Sequence, residues 1–287
     1  MSIFSLFQQR SLSPAWTFSP RGKIWKVLFA DGRTLVGEAR DVEAKQASFF
    51  CVETETGAAV WENLSFPEPW WVGVDAIHRG VLFFHEFAKP DLPEHKRIRA
   101  VDLHTGKILW TNDDASFFFA YANFVYAEKK MFEKRVAVKM ELLTGLEVEE
   151  IGDPDELMTL RRLAGEELHD DSSVMYPELL EEAAERARAD LIRPHLRAAQ
   201  WRSLESVEMP GYLIASYHFP FERDATGRSL YSNNLIILEK KNGRKIFADV
   251  LNAETRAVVP DSFFVRNQTV FYVKEYSTLV AVPLPLS

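Results

Sequence analysis

A single cysteine in 287 residues leaves no partner for an internal disulfide. Cys51 lies in the run Phe49-Phe50-Cys51-Val52, which reads as a buried thiol acting as a small hydrophobe. Long apolar runs are also missing: no stretch approaches the eighteen or so residues that a membrane-crossing helix needs. Met1 to Arg10 lacks the basic start and small-residue cleavage site of a secretory leader. A cytoplasmic protein without membrane contact is expected. Positive charge is scarce, with 34 Lys and Arg against 42 Asp and Glu and a net charge of −8. A chain that binds by neutralising phosphates carries the opposite balance, so no nucleic-acid partner is expected. The glycine-rich phosphate loop, the dinucleotide fingerprint, the serine-nucleophile elbow and the helical zinc-protease motif are all absent.

What the chain does have is a repeat. An apolar strand is followed by an acidic residue, two variable positions, Thr or Asn, and Gly. The four copies are Glu53 to Gly57, Asp102 to Gly106, Glu141 to Gly145 and Glu239 to Gly243. Glycine supplies the positive φ of a tight turn between strands rich in β-branched and aromatic residues. Four positions after each glycine stand Trp61, Trp110, Glu149 and Phe247, so three copies place an aromatic on the returning strand. A second series of turn signals, Asp31-Gly32, Arg79-Gly80, Ala122-Asn123 and Pro210-Gly211, precedes the first. Each unit therefore holds two hairpins, which make one four-stranded sheet. The glycine-to-glycine steps of 49 and 39 residues match a propeller blade, and the next step of 98 equals about one blade plus an insertion. Ser262 to Arg266, Thr269 to Glu275 and Thr278 to Pro283 read as three strands of a last unit, and Ala15 to Phe18 offers the fourth.

The core Asp-x-x-Thr-Gly-x-x-x-Trp, clearest from Asp102 to Trp110, resembles the quinoprotein-type (PQQ-like) β-propeller repeat. The whole chain looks like one of the bacterial propeller families of domains of unknown function. The resemblance implies architecture and carries no activity. The expected fold is all-β: a single domain over residues 1–287, a propeller of about five blades closed by pairing of the N- and C-terminal strands. An α-helical insertion over residues 153–205 is expected between blades three and four. There Asp153 to Glu156 supplies a cap, Pro154 the first helical position and a capping-box acid, and Leu157, Leu160, Ala164 and Leu168 share one face. A second helix is expected from Pro177, and the whole insertion is expected to be separable from the sheets. The segment holds thirteen acidic residues against seven arginines.

Chemistry is thin in the sequence. Quinoprotein dehydrogenases are longer, exported proteins, and their activity is not expected here. Glu166, Glu167, His169, Asp170 and Asp171 cluster without regular ligand spacing, as an acidic helix end does. His85 and Glu86 alternate to opposite faces of a strand, so they make a poor acid–base pair, and His85 reads as a hydrogen-bonded histidine in a half-buried strand. Trp70 and Trp71 pack between sheets or stack on a ligand. The candidate binding surface is Trp70, Trp71, His169, Asp170 and Asp171, and no catalytic residue, metal ligand or cofactor is assigned. Asp75 is the only carboxylate on the candidate inner strands. The expected role is a non-enzymatic binding or scaffolding protein with a protein partner. The alternative is a hydrolytic, metal-assisted enzyme at the channel mouth.

Overall fold

The computed structural model describes residues 11–88, 94–131, 134–168, 174–181, 185–196 and 202–286. The chain packs as two compact units, Pro20–Asp171 and Met1–Ser19 with Ser172–Ser287. Strand β1 (Trp16–Phe18) belongs to the second unit. Among the described residues the strands form five separate antiparallel sheets of four or five strands, so the molecule is all-β with a minor helical part.

The first unit holds three four-stranded meanders. They are β2 (Lys23–Phe29), β3 (Thr34–Asp41), β4 (Gln46–Glu53) and β5 (Ala59–Leu64); then β6 (Val72–His78), β7 (Val81–Phe87), β8 (His95–Asp102) and β9 (Ile108–Asn112); then β10 (Ala115–Tyr121), β11 (Phe124–Lys130), β12 (Arg135–Glu141) and β13 (Glu147–Ile151). Helix α1 (Pro154–Leu168) follows. The core is aromatic: Phe49, Phe66 and Phe84 pack together, with ring centroids 4.7 to 5.9 Å apart.

The repeated turn has one construction at all four sites. The glycine N–H donates to the carbonyl of the acidic residue four positions back, at 2.9 Å in each case, from Gly57, Gly106, Gly145 and Gly243. The Thr105 hydroxyl donates to Asp102 at 2.6 Å, and Thr56 and Thr144 bond Glu53 and Glu141 in the same way. The tryptophans of the repeat tie successive sheets together. Trp61 of the first sheet donates from Nε1 to the Leu103 carbonyl of the second at 2.7 Å, and Trp110 of the second donates to the Leu142 carbonyl of the third at 2.9 Å. Each indole lies on the turn glycine of the next sheet. A Cβ on Gly106 would meet Trp61 at 2.9 Å, and one on Gly145 would meet Trp110 at 2.5 Å. Glycine is therefore required there twice over, by φ of +67° and +68° and by the ring.

In the second unit β14 (Val174–Met175) and β15 (Glu178–Leu179) precede α2 (Arg186–Ile192), β16 (Arg202–Met209), β17 (Tyr212–Arg223), β18 (Ser229–Glu239), β19 (Arg244–Thr255), β20 (Phe263–Arg266), β21 (Thr269–Lys274) and β22 (Thr278–Pro283). The two sheets run β15-β16-β17-β18-β19 and β1-β22-β21-β20-β14. Pairing of the N- and C-terminal strands is present, with Trp16 opposite Ala281 and Phe18 opposite Leu279.

The segment 153–205 departs from a purely helical insertion. Its first helix is where the capping signals put it, and Asp153 caps it by accepting the Asp155 N–H at 2.9 Å. Buried Ala164 and its neighbours Leu157 and Leu160 pack on Phe119 and Tyr126. No helix starts at Pro177. The backbone there is extended, because the sheet edges at β20 and β16 offer it hydrogen-bond partners: Val174 pairs with Arg266 and Glu178 with Ser206. The second helix starts only at Arg186. Leu180, Ala189, Ile192 and Leu204 are buried in the core of the β15–β19 sheet, so this half of the segment is part of the fold rather than separable from it.

Candidate functional site

Three neighbouring strands of the second sheet bring one ligand-capable side chain each to a single place: Asp75 on β6, His85 on β7 and His95 on β8, ten residues apart in sequence. Simple alternation would not bring them together, but bulges do. In the β6–β7 pairing Val74 faces Phe84 and Ala76 faces Phe83, leaving Asp75 as the extra residue. The β7–β8 register also slips, between Phe84 and Glu86, and Arg97 takes φ of +60°. Bulges of this kind re-aim side chains at the expense of ladder pairing.

The resulting cluster is tight. Asp75 Oδ1 accepts a hydrogen bond from His95 Nδ1 at 2.9 Å, and His85 Nδ1 lies 2.8 Å from the same oxygen. The second contact lacks hydrogen-bond alignment, so neither ring nitrogen of His85 is bonded, and Asp75 Oδ2 is unbonded too. His85 is 6% exposed. It is therefore buried without hydrogen bonds, contrary to the sequence expectation. The two imidazoles stack 3.5 Å apart at 6°, with Phe87 edge-on to both at 4.9 and 5.2 Å. Gly73 makes room for them, since a Cβ there would sit 3.1 Å from His85 Cε1 and 3.2 Å from Nε2. Burial, with the neighbouring His85, holds the His95 pKa below its ordinary value against the opposing pull of Asp75. One atom from each of the three residues lies within 4.8 Å of the others, a spacing that can hold a metal ion.

Glu86, on the other face of β7, is buried and receives Arg99 at 2.5 Å and Arg97 at 2.7 Å. Burial pushes its pKa up, but the two arginine hydrogen bonds outweigh this and hold it below the usual carboxylate range. Arg97 also pairs with Asp113. Beside this network a cleft of about 390 Å³ is lined by His95, Arg97, Asp113, Ser116, Glu128 and Arg135, among others.

The sequence candidates fall elsewhere. Trp70 is packing: it meets Trp25 edge-on at 6.0 Å, and both rings contact the Arg40 guanidinium, whose carbon lies 4.8 Å from Trp25 and 4.9 Å from Trp70. Arg40 also donates to the Trp70 and Val72 carbonyls and to Glu38. Trp71 is 36% exposed and sets its ring edge-on to Phe87, 6.1 Å away. It thus sits one ring away from the histidine pair. His169, Asp170 and Asp171 lie outside the described residues. Nearby, Glu166 pairs with Arg162, and Glu167 receives Arg79 and the Ala122 N–H. Cys51 is buried, and burial pushes its thiol pKa up to about 12.

Residues 30–110 match the model of a domain of unknown function (DUF4905). That stretch contains Asp75, His85, His95 and both docking tryptophans. No curated protein matches the sequence. Among solved structures, the Myceliophteria thermophila Cps50 (Swd1) β-propeller domain is 11% identical, with a TM-score of 0.35, over 96% of this chain and 100% of that one. Sqt1 of Saccharomyces cerevisiae is 8% identical, with a TM-score of 0.30, over 96% and 100%. Kluyveromyces lactis Hsv2 is 10% identical, with a TM-score of 0.28, over 89% and 75%. Likenesses of this size assign neither an activity nor a partner.

The sequence carries one signal for the cluster, the ten-residue spacing of Asp75, His85 and His95 along three successive strands. Strict alternation hides it, because the bulge at Asp75 and the register slip beside His85 are what turn these side chains to one place.

Proposed function

We propose that the chain is a non-enzymatic binding protein, a β-propeller in which the five sheets serve as blades, and that it recognises a protein partner at the cleft beside His95. One observation carries this reading: most of the charged groups of the cleft are held in ion pairs. Arg97 joins Glu86 and Asp113, Lys130 joins Glu94, and Arg135 joins Glu94 and Glu128. Pairing of this kind fixes side chains for recognition, and in buried Glu86 the arginine hydrogen bonds hold the pKa below the usual carboxylate range, away from that of a general base. The fitting partner segment is short and carries both acidic and basic side chains, which exchange with these pairs. A cytoplasmic setting completes the proposal.

The test is fluorescence-detected binding of short peptides of mixed charge, compared with neutral ones of the same length. Saturable binding of the mixed-charge peptides, weakened at least tenfold in Arg135→Glu, supports the reading. Equal or absent binding of both sets overturns it. A second reading, metal-assisted hydrolysis, is favoured by the Asp75, His85 and His95 cluster. It would be established by turnover of activated ester or phosphate substrates that disappears in Asp75→Asn.

A further inference from the structure

We propose that Asp75, His85 and His95 are the protein ligands of one divalent transition-metal ion. The cluster has an unresolved polar account. Buried polar atoms are nearly always hydrogen-bonded, and exceptions call for a reason. Here three belong to one cluster, His85 Nδ1, His85 Nε2 and Asp75 Oδ2, in a histidine that is 6% exposed. The Asp75–His95 hydrogen bond satisfies one imidazole and leaves the other facing the same carboxylate, 2.8 Å away and misaligned. A cation shared by the three side chains relieves this conflict: rotation of the stacked rings, now 3.5 Å apart at 6°, turns one nitrogen of each, with the carboxylate, towards one point.

The local fold is also shaped for it. The bulge at Asp75 and the register slip beside His85 turn residues from three strands towards one place, and Gly73 leaves the space that the His85 ring occupies. Strand-borne ligands are held more rigidly than loop-borne ones. The donor set selects the class of ion. Two imidazoles and one carboxylate suit zinc, cobalt, nickel or iron(II), whereas calcium and magnesium take oxygen sets. Three protein ligands leave coordination positions for water or a bound group. His95 gives a way in, since its side chain is 33% exposed and lines the cleft.

The test uses the full chain, stripped with chelator and titrated with zinc chloride by calorimetry and with cobalt chloride by visible absorption. One equivalent of zinc per chain is expected, with affinity reduced at least 100-fold in His85→Ala and in Asp75→Asn. His104→Ala, outside the cluster, should bind as the unaltered protein does. Cobalt should develop the intense visible bands of a low-coordinate nitrogen and oxygen site. That reading needs no variant, so it stands even where a substitution impairs folding. A cobalt spectrum identical to the aqueous ion, or zinc binding unchanged in folded His85→Ala, would overturn the proposal.

Discussion

Trp110 shows how much one side chain carries in this fold. It is 9% exposed, donates to the Leu142 carbonyl and covers Gly145 of the next sheet. Trp110→Ala is expected to reduce stability by about 3 to 5 kcal/mol, as truncation of other buried aromatics does, measured by urea unfolding. Gly145→Ala attacks the same contact from the other side and should cost about 1 to 3 kcal/mol through overpacking and a φ of +68°. Because the two changes share one contact, the double variant should lose less than the sum; strict additivity would show that the indole does not rest on the glycine. These residues were legible in the sequence because the motif carries both halves of the contact, the glycine of one copy and the aromatic of the copy before. The Asp75, His85 and His95 cluster was not, since strand alternation predicts which face a side chain takes only while the register holds. The bulge at Asp75 breaks it.

Among the elements, the strands at the two chain ends and the segment before β16 test the architecture in opposite ways. The terminal pairing was legible, because Thr278 to Pro283 is an apolar strand needing a neighbour and Trp16 repeats the aromatic of the other copies. Deleting residues 1–20 removes β1 from β22 and should leave Leu279 to Val282 as an open apolar edge, prone to association. Light scattering should report oligomers, and hydrogen exchange should report lost protection in that strand; a monomer with an unchanged unfolding midpoint would contradict this. The segment 153–205 was only half legible. Its first helix announces itself through local capping chemistry, whereas β14 and β15 owe their extended form to distant edges that no local pattern reveals. Replacing Pro154–Leu204 with a Gly/Ser linker is therefore expected to destroy cooperative unfolding of the β15–β19 sheet, because Leu180, Ile192 and Leu204 leave its core. Retained protection of β17 and β18 amides would refute that.

At the scale of the whole molecule, stability should depend on pH through buried histidine. His218 is fully buried, accepts the Val259 N–H at Nε2, 3.0 Å away, and burial depresses its pKa. The folded state therefore binds fewer protons than the unfolded chain as pH falls below about 6.5. Its contribution is complete above the unfolded pKa and is lost as pH falls through the folded one. Glu205 acts in the other direction: burial raises its pKa despite hydrogen bonds from Asp261, Ser262 and Ser216, so its contribution fades as pH rises. The two contributions oppose each other, so that of His218 is read by difference: from pH 7 to pH 5 the urea midpoint should drop relative to that of His218→Gln; an identical pH dependence in both would exclude His218. The pairing of β1 with β22 has a consequence in time. Trp16 and Ala281 are 265 residues apart in the chain, and a ribosome adding roughly 5 to 20 residues per second separates their synthesis by on the order of tens of seconds. Throughout that interval β1 lacks the strand it pairs with, while the sheets of residues 20–171 can already be complete. Strand β1 is thus made long before it can pair, and nascent chains should present it to chaperones until β22 emerges.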